Sequence, residues 1–175
     1  LHTDIHLYMR AGDYIVRGVN PYSAAANPGF DIYGYPPLLA DVMGLLNLAI
    51  GATATTICWT LFCVASLIGA IVLMCRSFGF KLGWPWILLI IGIVSLGRVT
   101  RIDIYHGQVN VIILCALLAG LVWHSQGKTI LAATCLAICM SLKPFFGILV
   151  FYFLLRREWR LAIYSLVIGA AVFFI

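Results

Sequence analysis

Long apolar runs, each closed by a short charged or glycine- and proline-bearing break, occupy the chain from Thr53 onward. They cover about residues 53–75, 83–98, 107–123, 129–142, 144–156 and 160–175. A helix needs about 20 predominantly apolar residues to cross a hydrocarbon core of ~30 Å. Backbone at that depth must satisfy its own hydrogen bonds, which a helix does within one segment. Hydrophobic residues make up 63% of the chain and charged residues 10%, whereas a soluble domain is about half apolar and a quarter charged. The expected fold is all-α: a polytopic transmembrane helical bundle over 53–175, in contact with the lipid bilayer, with a polar loop of surface helices over 1–52. The chain starts at Leu1 and stops inside an apolar run at Phe173-Phe174-Ile175. It therefore reads as a fragment truncated at both ends.

The net charge of +5 comes from basic residues scattered singly between apolar runs. That pattern fits topogenic charges at helix ends and provides no basic stripe for nucleic acid. The six cysteines, Cys58, Cys63, Cys75, Cys115, Cys135 and Cys139, lie in or at the ends of apolar runs. They have neither zinc spacing nor a disulfide framework, and read as small apolar side chains.

The long polar segment is Leu1 to Tyr35. Four of the six acidic residues, Asp4, Asp13, Asp31 and Asp41, fall within the first 41 positions. Residues 3–17 have the period of an amphipathic helix. Ile5, Tyr8, Met9, Gly12, Ile15 and Val16 form one face, and His6, Arg10, Asp13 and Arg17 the other. Thr3 is placed to cap it, Gly18 to stop it, and Asp4 lies in the first turn, where the helix dipole favours a carboxylate. Such a helix is expected to lie on a membrane surface, with Asp13 pairing with Arg10 or Arg17 on the same face. Asn20-Pro21-Tyr22 marks a turn, and Tyr33 and Tyr35 are candidate interfacial anchors. Pro36-Pro37 opens an apolar segment ending near Gly51. At about 21 Å it is short for a span, so it reads as interfacial or re-entrant.

Lys143-Pro144 interrupts the run from Thr129 to Leu155. Two structures are open to it: two short spans meeting at a turn, or one kinked helix of about 40 Å. Charge favours the turn. It puts Arg76, Lys81, Lys128, Arg156, Arg157 and Arg160, with the single acid Glu158, on one side in short loops. By the positive-inside rule that side is cytoplasmic. All five aspartates, with Arg10, Arg17, Arg98, Arg101 and Lys143, then lie on the extracytoplasmic side.

That outer side collects Asp4, the stretch Arg98 to Asn110, and Lys143. Ionisable groups near membrane depth are costly and mark functional cavities. Each also has a plainer role: Arg98, Arg101 and Lys143 as snorkelling cations, Asp103 as the ion-pair partner of a nearby arginine, Gln108 and Asn110 as helix-to-helix hydrogen-bonders, and His106 as a satisfied polar residue. Their convergence on one side raises the functional reading.

The order Asp4, Tyr8, Ala11, then Gly18-Val19-Asn20-Pro21-Tyr22, Tyr35-Pro36-Pro37-Leu38, Gly107-Gln108-Val109-Asn110, Leu142-Lys143-Pro144 and Arg156-Arg157-Glu158-Trp159-Arg160 resembles glycosyltransferase family 87. That family comprises GT-C-fold, polyprenol-phosphate-mannose-dependent α-(1→2)-mannosyltransferases. The stretch Arg98 to His106 is more charged than the resemblance leads one to expect. The resemblance implies a multi-pass cell-membrane enzyme with its site on the extracytoplasmic side. Asp4 matches the position of the catalytic base. Arg98, Arg101, His106, Gln108, Asn110 and Lys143 are the candidates to bind substrate and its phosphate, with Asp13, Asn20, Tyr22 and Tyr35 supporting the loop. The donor would be a lipid-linked sugar and the acceptor a lipid or glycan. No Asp-x-Asp motif occurs, which agrees with a donor other than a sugar nucleotide, and no cofactor or metal is expected. Three alternatives stand beside this reading: a GT-C transferase with another acceptor, a transporter or flippase of lipid-linked glycans, and a non-catalytic assembly subunit.

Overall fold

The computed structural model describes residues 4–23, 33–77 and 83–173. Thr3, Asp31 and Lys81, to which the sequence assigned a cap and two loop charges, lie outside them. Secondary structure among the described residues is helical: α1 Asp4–Val16, α2 Pro37–Ile50, α3 Ala52–Ser77, α4 Trp84–Leu96, α5 Arg98–His106, α6 Asn110–Ser125, α7 Thr129–Leu142, a 3-10 turn Pro144–Phe146, α8 Gly147–Leu155 and α9 Trp159–Phe173.

The expected amphipathic helix forms as α1, but other helices cover its apolar face. Ile5, Tyr8, Met9, Ala11 and Gly12 are buried, worth about 1.5–3 kcal/mol for each large side chain removed from water. Gly12 and Gly44 make the α1–α2 crossing close. A Cβ on Gly12 would lie 2.6 Å from the Gly44 Cα, and one on Gly44 would lie 2.7 Å from the Gly12 carbonyl oxygen. The Asn47 side-chain amide then reaches across to donate to Asp13 at 2.8 Å. The sequence offers Arg10 or Arg17 on the same face as partners; Asn47 reaches Asp13 from the facing helix, and the Arg17 side chain is exposed.

α3, at 26 residues, is the one described helix long and apolar enough to cross a membrane by itself; the bent pair α5–α6 passes the same test jointly. The other apolar helices are shorter, 10–17 residues. α4 buries none of its residues.

The structure decides the fate of the Thr129–Leu155 run. Val150 and Phe153 of α8 share one apolar cluster with Ala132, Ala133 and Leu136 of α7 and with Leu161 and Ala162 of α9. A straight continuation would carry Phe153 about 30 Å from Ala132 along the axis. The chain therefore turns back at Lys143-Pro144. Proline lacks the N–H that would continue the helix, and the residue before it is forced out of helical backbone; Lys143 has φ −141° and ψ 107°. α6 and α7 run antiparallel, with Cys139 beside Ile113 and Cys135 beside Gly120, so Lys143 and Asn110 lie at one end of the molecule and Lys128, His124 and Glu158 at the other.

A second apolar cluster joins α1, α2, α3, α6 and the end of α7. It holds the N-terminal helix against the helices that carry the polar residues of the site.

Candidate active site

The site is built around a bend that the sequence did not predict. Arg98–His106 reads as a charged stretch between two apolar runs; it is helical, and α5 meets α6 at 106° across Gly107–Val109. Gly107 has φ +70°, a conformation that glycine adopts without strain. Gly107 N–H bonds to Ile104 O at 3.1 Å and Gln108 N–H to Asp103 O at 2.8 Å, the paired bonds of a Schellman helix end. The indole of Trp59 on α3 donates to Gly107 O at 2.8 Å. A Cβ on Gly107 would lie 3.0 Å from the Ile5 Cβ and 3.3 Å from the Trp59 ring. Close backbone approach and left-handed backbone both require glycine here.

The bend folds four polar side chains into one network. Asn110 Nδ2 donates to Gln108 Oε1 at 2.7 Å and to Asp103 Oδ1 at 3.1 Å. Lys143 Nζ donates to Asn110 Oδ1 at 2.6 Å. All four residues are half-buried. Asp103 was expected to pair with an arginine. Instead it accepts from Asn110, because α5 turns Asp103 toward the start of α6 and leaves Arg98 and Arg101 exposed. Lys143 has no ion-pair partner among the described residues; the one ion pair between described side chains joins His124 and Glu158. The ammonium of Lys143 is thus held by a neutral amide, with the Asp103 carboxylate on the far side of that amide and no direct ion pair among the described residues.

Asp4 enters from α1. It is half-buried in the first turn, and the next residue, Ile5, packs on Gly107. One turn on, Tyr8 is fully buried, and its hydroxyl has no hydrogen-bond partner among the described residues. Burial first, then Tyr35 and the Asp4 carboxylate, push the Tyr8 hydroxyl far above the usual phenol range. Burial does the same to Tyr33. The Tyr8 ring therefore stays neutral beside Asp4.

The loop residues form a column of aromatic side chains. Asn20 Oδ1 accepts from Tyr22 N–H at 2.9 Å, setting the turn. Tyr22 OH donates to Tyr35 O at 2.8 Å, and Tyr33 OH to Pro36 O at 3.0 Å. The rings of Tyr22 and Tyr33 lie 5.5 Å apart, those of Tyr33 and Tyr35 6.0 Å, those of Tyr35 and Tyr8 4.9 Å, and those of Tyr8 and Trp59 6.2 Å. The column ties the Asn-Pro-Tyr turn to the indole that holds the bend.

Of the residues picked out by sequence, Gln108, Asn110 and Lys143 come together, and Asn20, Tyr22 and Tyr35 support the column. Asp13 is engaged with α2. The half-buried His106 ring meets Tyr105 edge-on at 5.4 Å. Arg98 and Arg101 share one face of α5 at i, i+3 without polar partners among the described residues. Sequence reading missed Trp59 and the structural role of Asp103. Trp59 is one aromatic residue in an apolar run, with no local signal. Asp103 precedes an invitation to bend, Gly107, that spacing alone does not reveal.

Residues 33–175 match glycosyltransferase family 87. The chain belongs to glycosyltransferase family 87. The match takes in the bend, Gln108, Asn110 and Lys143, and begins after Asp4, Asn20 and Tyr22. No curated protein and no solved structure matches the chain. As a family 87 glycosyltransferase it uses a sugar donor and an acceptor, and its apolar helices together with the family mark a membrane protein.

Proposed function

We propose that this family 87 member is a multi-pass membrane mannosyltransferase of GT-C architecture. It takes mannose from a polyprenyl-phosphate donor and delivers it to a lipid or glycan acceptor on the extracytoplasmic face. The observation that carries the reading is the half-buried Lys143 ammonium, fixed on Asn110 at 2.6 Å with no direct ion pair among the described residues, at the end of the bundle where α1 brings Asp4.

In the proposed reaction the acceptor hydroxyl oxygen attacks the anomeric carbon. The bond from that carbon to the phosphate oxygen breaks, its electron pair leaves with polyprenyl phosphate, and the hydroxyl proton passes to the Asp4 carboxylate. The configuration inverts in one displacement. General-base help of this kind contributes typically ~10²–10⁴-fold. The leaving group departs as a phosphate anion and needs no proton. Lys143 stabilises its charge, with Arg98, Arg101 and His106 as further cationic or donor groups, Gln108 as an amide donor, and Asn110, whose two N–H groups are spent on Gln108 and Asp103, holding Lys143 in place. With cations supplied by the chain, the reaction requires neither metal nor cofactor. The donor's prenyl tail lies between the apolar helices.

The test is transfer of label from radiolabelled polyprenyl-phosphate-mannose in membranes that carry the full-length protein. Consumption of the donor, lost in Lys143→Gln and largely kept in Lys143→Arg, supports the reading. A parent protein that consumes no polyprenyl-phosphate sugar sinks it.

A further inference from the structure

At the opposite end of the molecule lies an open groove of about 420 Å³ between the starts of α7 and α9, lined by Lys128, Thr129, Ile130, Arg160 and Tyr164 among others. Lys128 and Arg160 are exposed and have no hydrogen-bonding or ion-pairing side-chain partner among the described residues. Glu158, the nearest acid in sequence, is turned to His124 at 3.6 Å instead and does not line the groove. Arg160 and Tyr164, at i, i+4, present a cation and a hydroxyl from one face of α9. The Ile130, Leu131 and Tyr164 side chains that border these charges are exposed, at 64%, 45% and 42%. A groove with two open cations at its mouth and exposed apolar side chains beside them matches a molecule with an anionic head and a greasy body.

We propose that this groove binds the headgroup phosphate of an anionic membrane phospholipid. Lys128 and Arg160 take the phosphate oxygens, Tyr164 donates a hydrogen bond, and the acyl chains run down over Ile130 and Leu131. Basic pockets between helices on the cytoplasmic side are the usual place for such headgroups, and charge assigns this end to that side. A soluble phosphate would use the cations but leave the apolar border without a role. The site rests on the chain's being a membrane protein and is separate from the sugar-transfer site.

The experiment uses the full-length protein released from nanodiscs containing phosphatidylcholine and phosphatidylglycerol, with retained lipids counted by native mass spectrometry. The parent retains phosphatidylglycerol in preference to phosphatidylcholine. Each of Lys128→Gln and Arg160→Gln lowers that preference about 5-fold and the double variant about 30-fold, at the usual contribution of a cation near an anionic surface. Lys128→Arg keeps it, and so does Arg76→Gln, which removes an exposed cation outside the groove. An unchanged preference in the double variant overturns the proposal. So does an equal loss in Arg76→Gln, which would mean diffuse surface charge. Displacement of phosphatidylglycerol by millimolar inorganic phosphate overturns the lipid assignment. No readout depends on sugar transfer, so this result and the donor assignment fail separately.

Discussion

The two ends of this helical molecule carry similar numbers of cations and use them differently. At the Asp4 end, Asp103, Gln108, Asn110 and Lys143 are half-buried and joined by hydrogen bonds of 2.6–3.1 Å. At the other end, Arg76, Lys128, Arg156, Arg157 and Arg160 are all exposed, and the one ion pair among the described residues, His124–Glu158, spans 3.6 Å between side chains 29% and 41% exposed. Half-buried polar groups in a network are electrostatically strong and expensive to leave unpaired. Exposed charges near water act through their number. The first end therefore has the means to hold a reacting anion, and the second the means to set orientation and meet lipid headgroups. Mutations should separate the two ends by size of effect.

The largest effect belongs to Asp4. Asp4→Asn keeps the shape and removes the base, and the rate of label transfer from polyprenyl-phosphate-mannose should fall about 10²–10⁴-fold with little change in thermal stability. A variant as fast as its parent would end the base assignment and remove the chief reason for calling the Asp4 end the active one. Asn110→Ala comes next. It leaves the Lys143 ammonium and the Asp103 carboxylate without their shared amide, and a hydrogen bond to a charged group is worth about 1.5–3 kcal/mol. Donor use, read as kcat/KM, should drop about 10- to 100-fold, against a much smaller change for Arg76→Gln at the far end.

How far this contrast could be read from sequence depends on the element. The face of α1 was legible up to its last turn: Ile5, Tyr8, Met9 and Gly12 follow helical spacing and are buried together with Ala11, whereas Val16, assigned to the same face, is 48% exposed. The turn after α7 was legible too, because Lys143-Pro144 is a backbone instruction and the flanking charges chose its sense. The bend at Gly107 was not. It needs a Trp59 indole from 48 residues away, and only after the bend do Asp103 and Asn110, seven residues apart, come within bonding distance. Asp13 misled in the same way. A local arginine looked sufficient as its partner, but Asn47 also reaches it, brought by a helix crossing that two glycines permit. Local periodicity reports what a segment can bury, whereas the polar partners depend on tertiary contact.

The α1–α2 crossing is accordingly the next place to test the contrast. Gly12→Ala puts a methyl group into the backbone of α2. Neither helix can yield without moving Tyr8 or Asn47, so the change should destabilise by about 1–3 kcal/mol, measured by thermal unfolding in detergent. Transfer activity should fall with it, since α1 carries Asp4. If stability fell while activity held, Asp4 would not depend on the seating of α1.

The smallest effect is expected from Glu158→Gln at the opposite end. The pair with His124 is half in water and asks the histidine to be protonated. An exposed pair of this kind contributes about 0–1 kcal/mol, and salt screens it further. The variant should therefore unfold within about 1 kcal/mol of the parent, and the small difference should shrink in high salt. Leu161 and Ala162, three and four residues on, stay buried against α7 with or without the charge, so the helix start has another anchor. A loss as large as that of Asn110→Ala would break the comparison. It would mean that the His124–Glu158 contact is a structural clamp, and that the two ends do not differ in how tightly their charge is held.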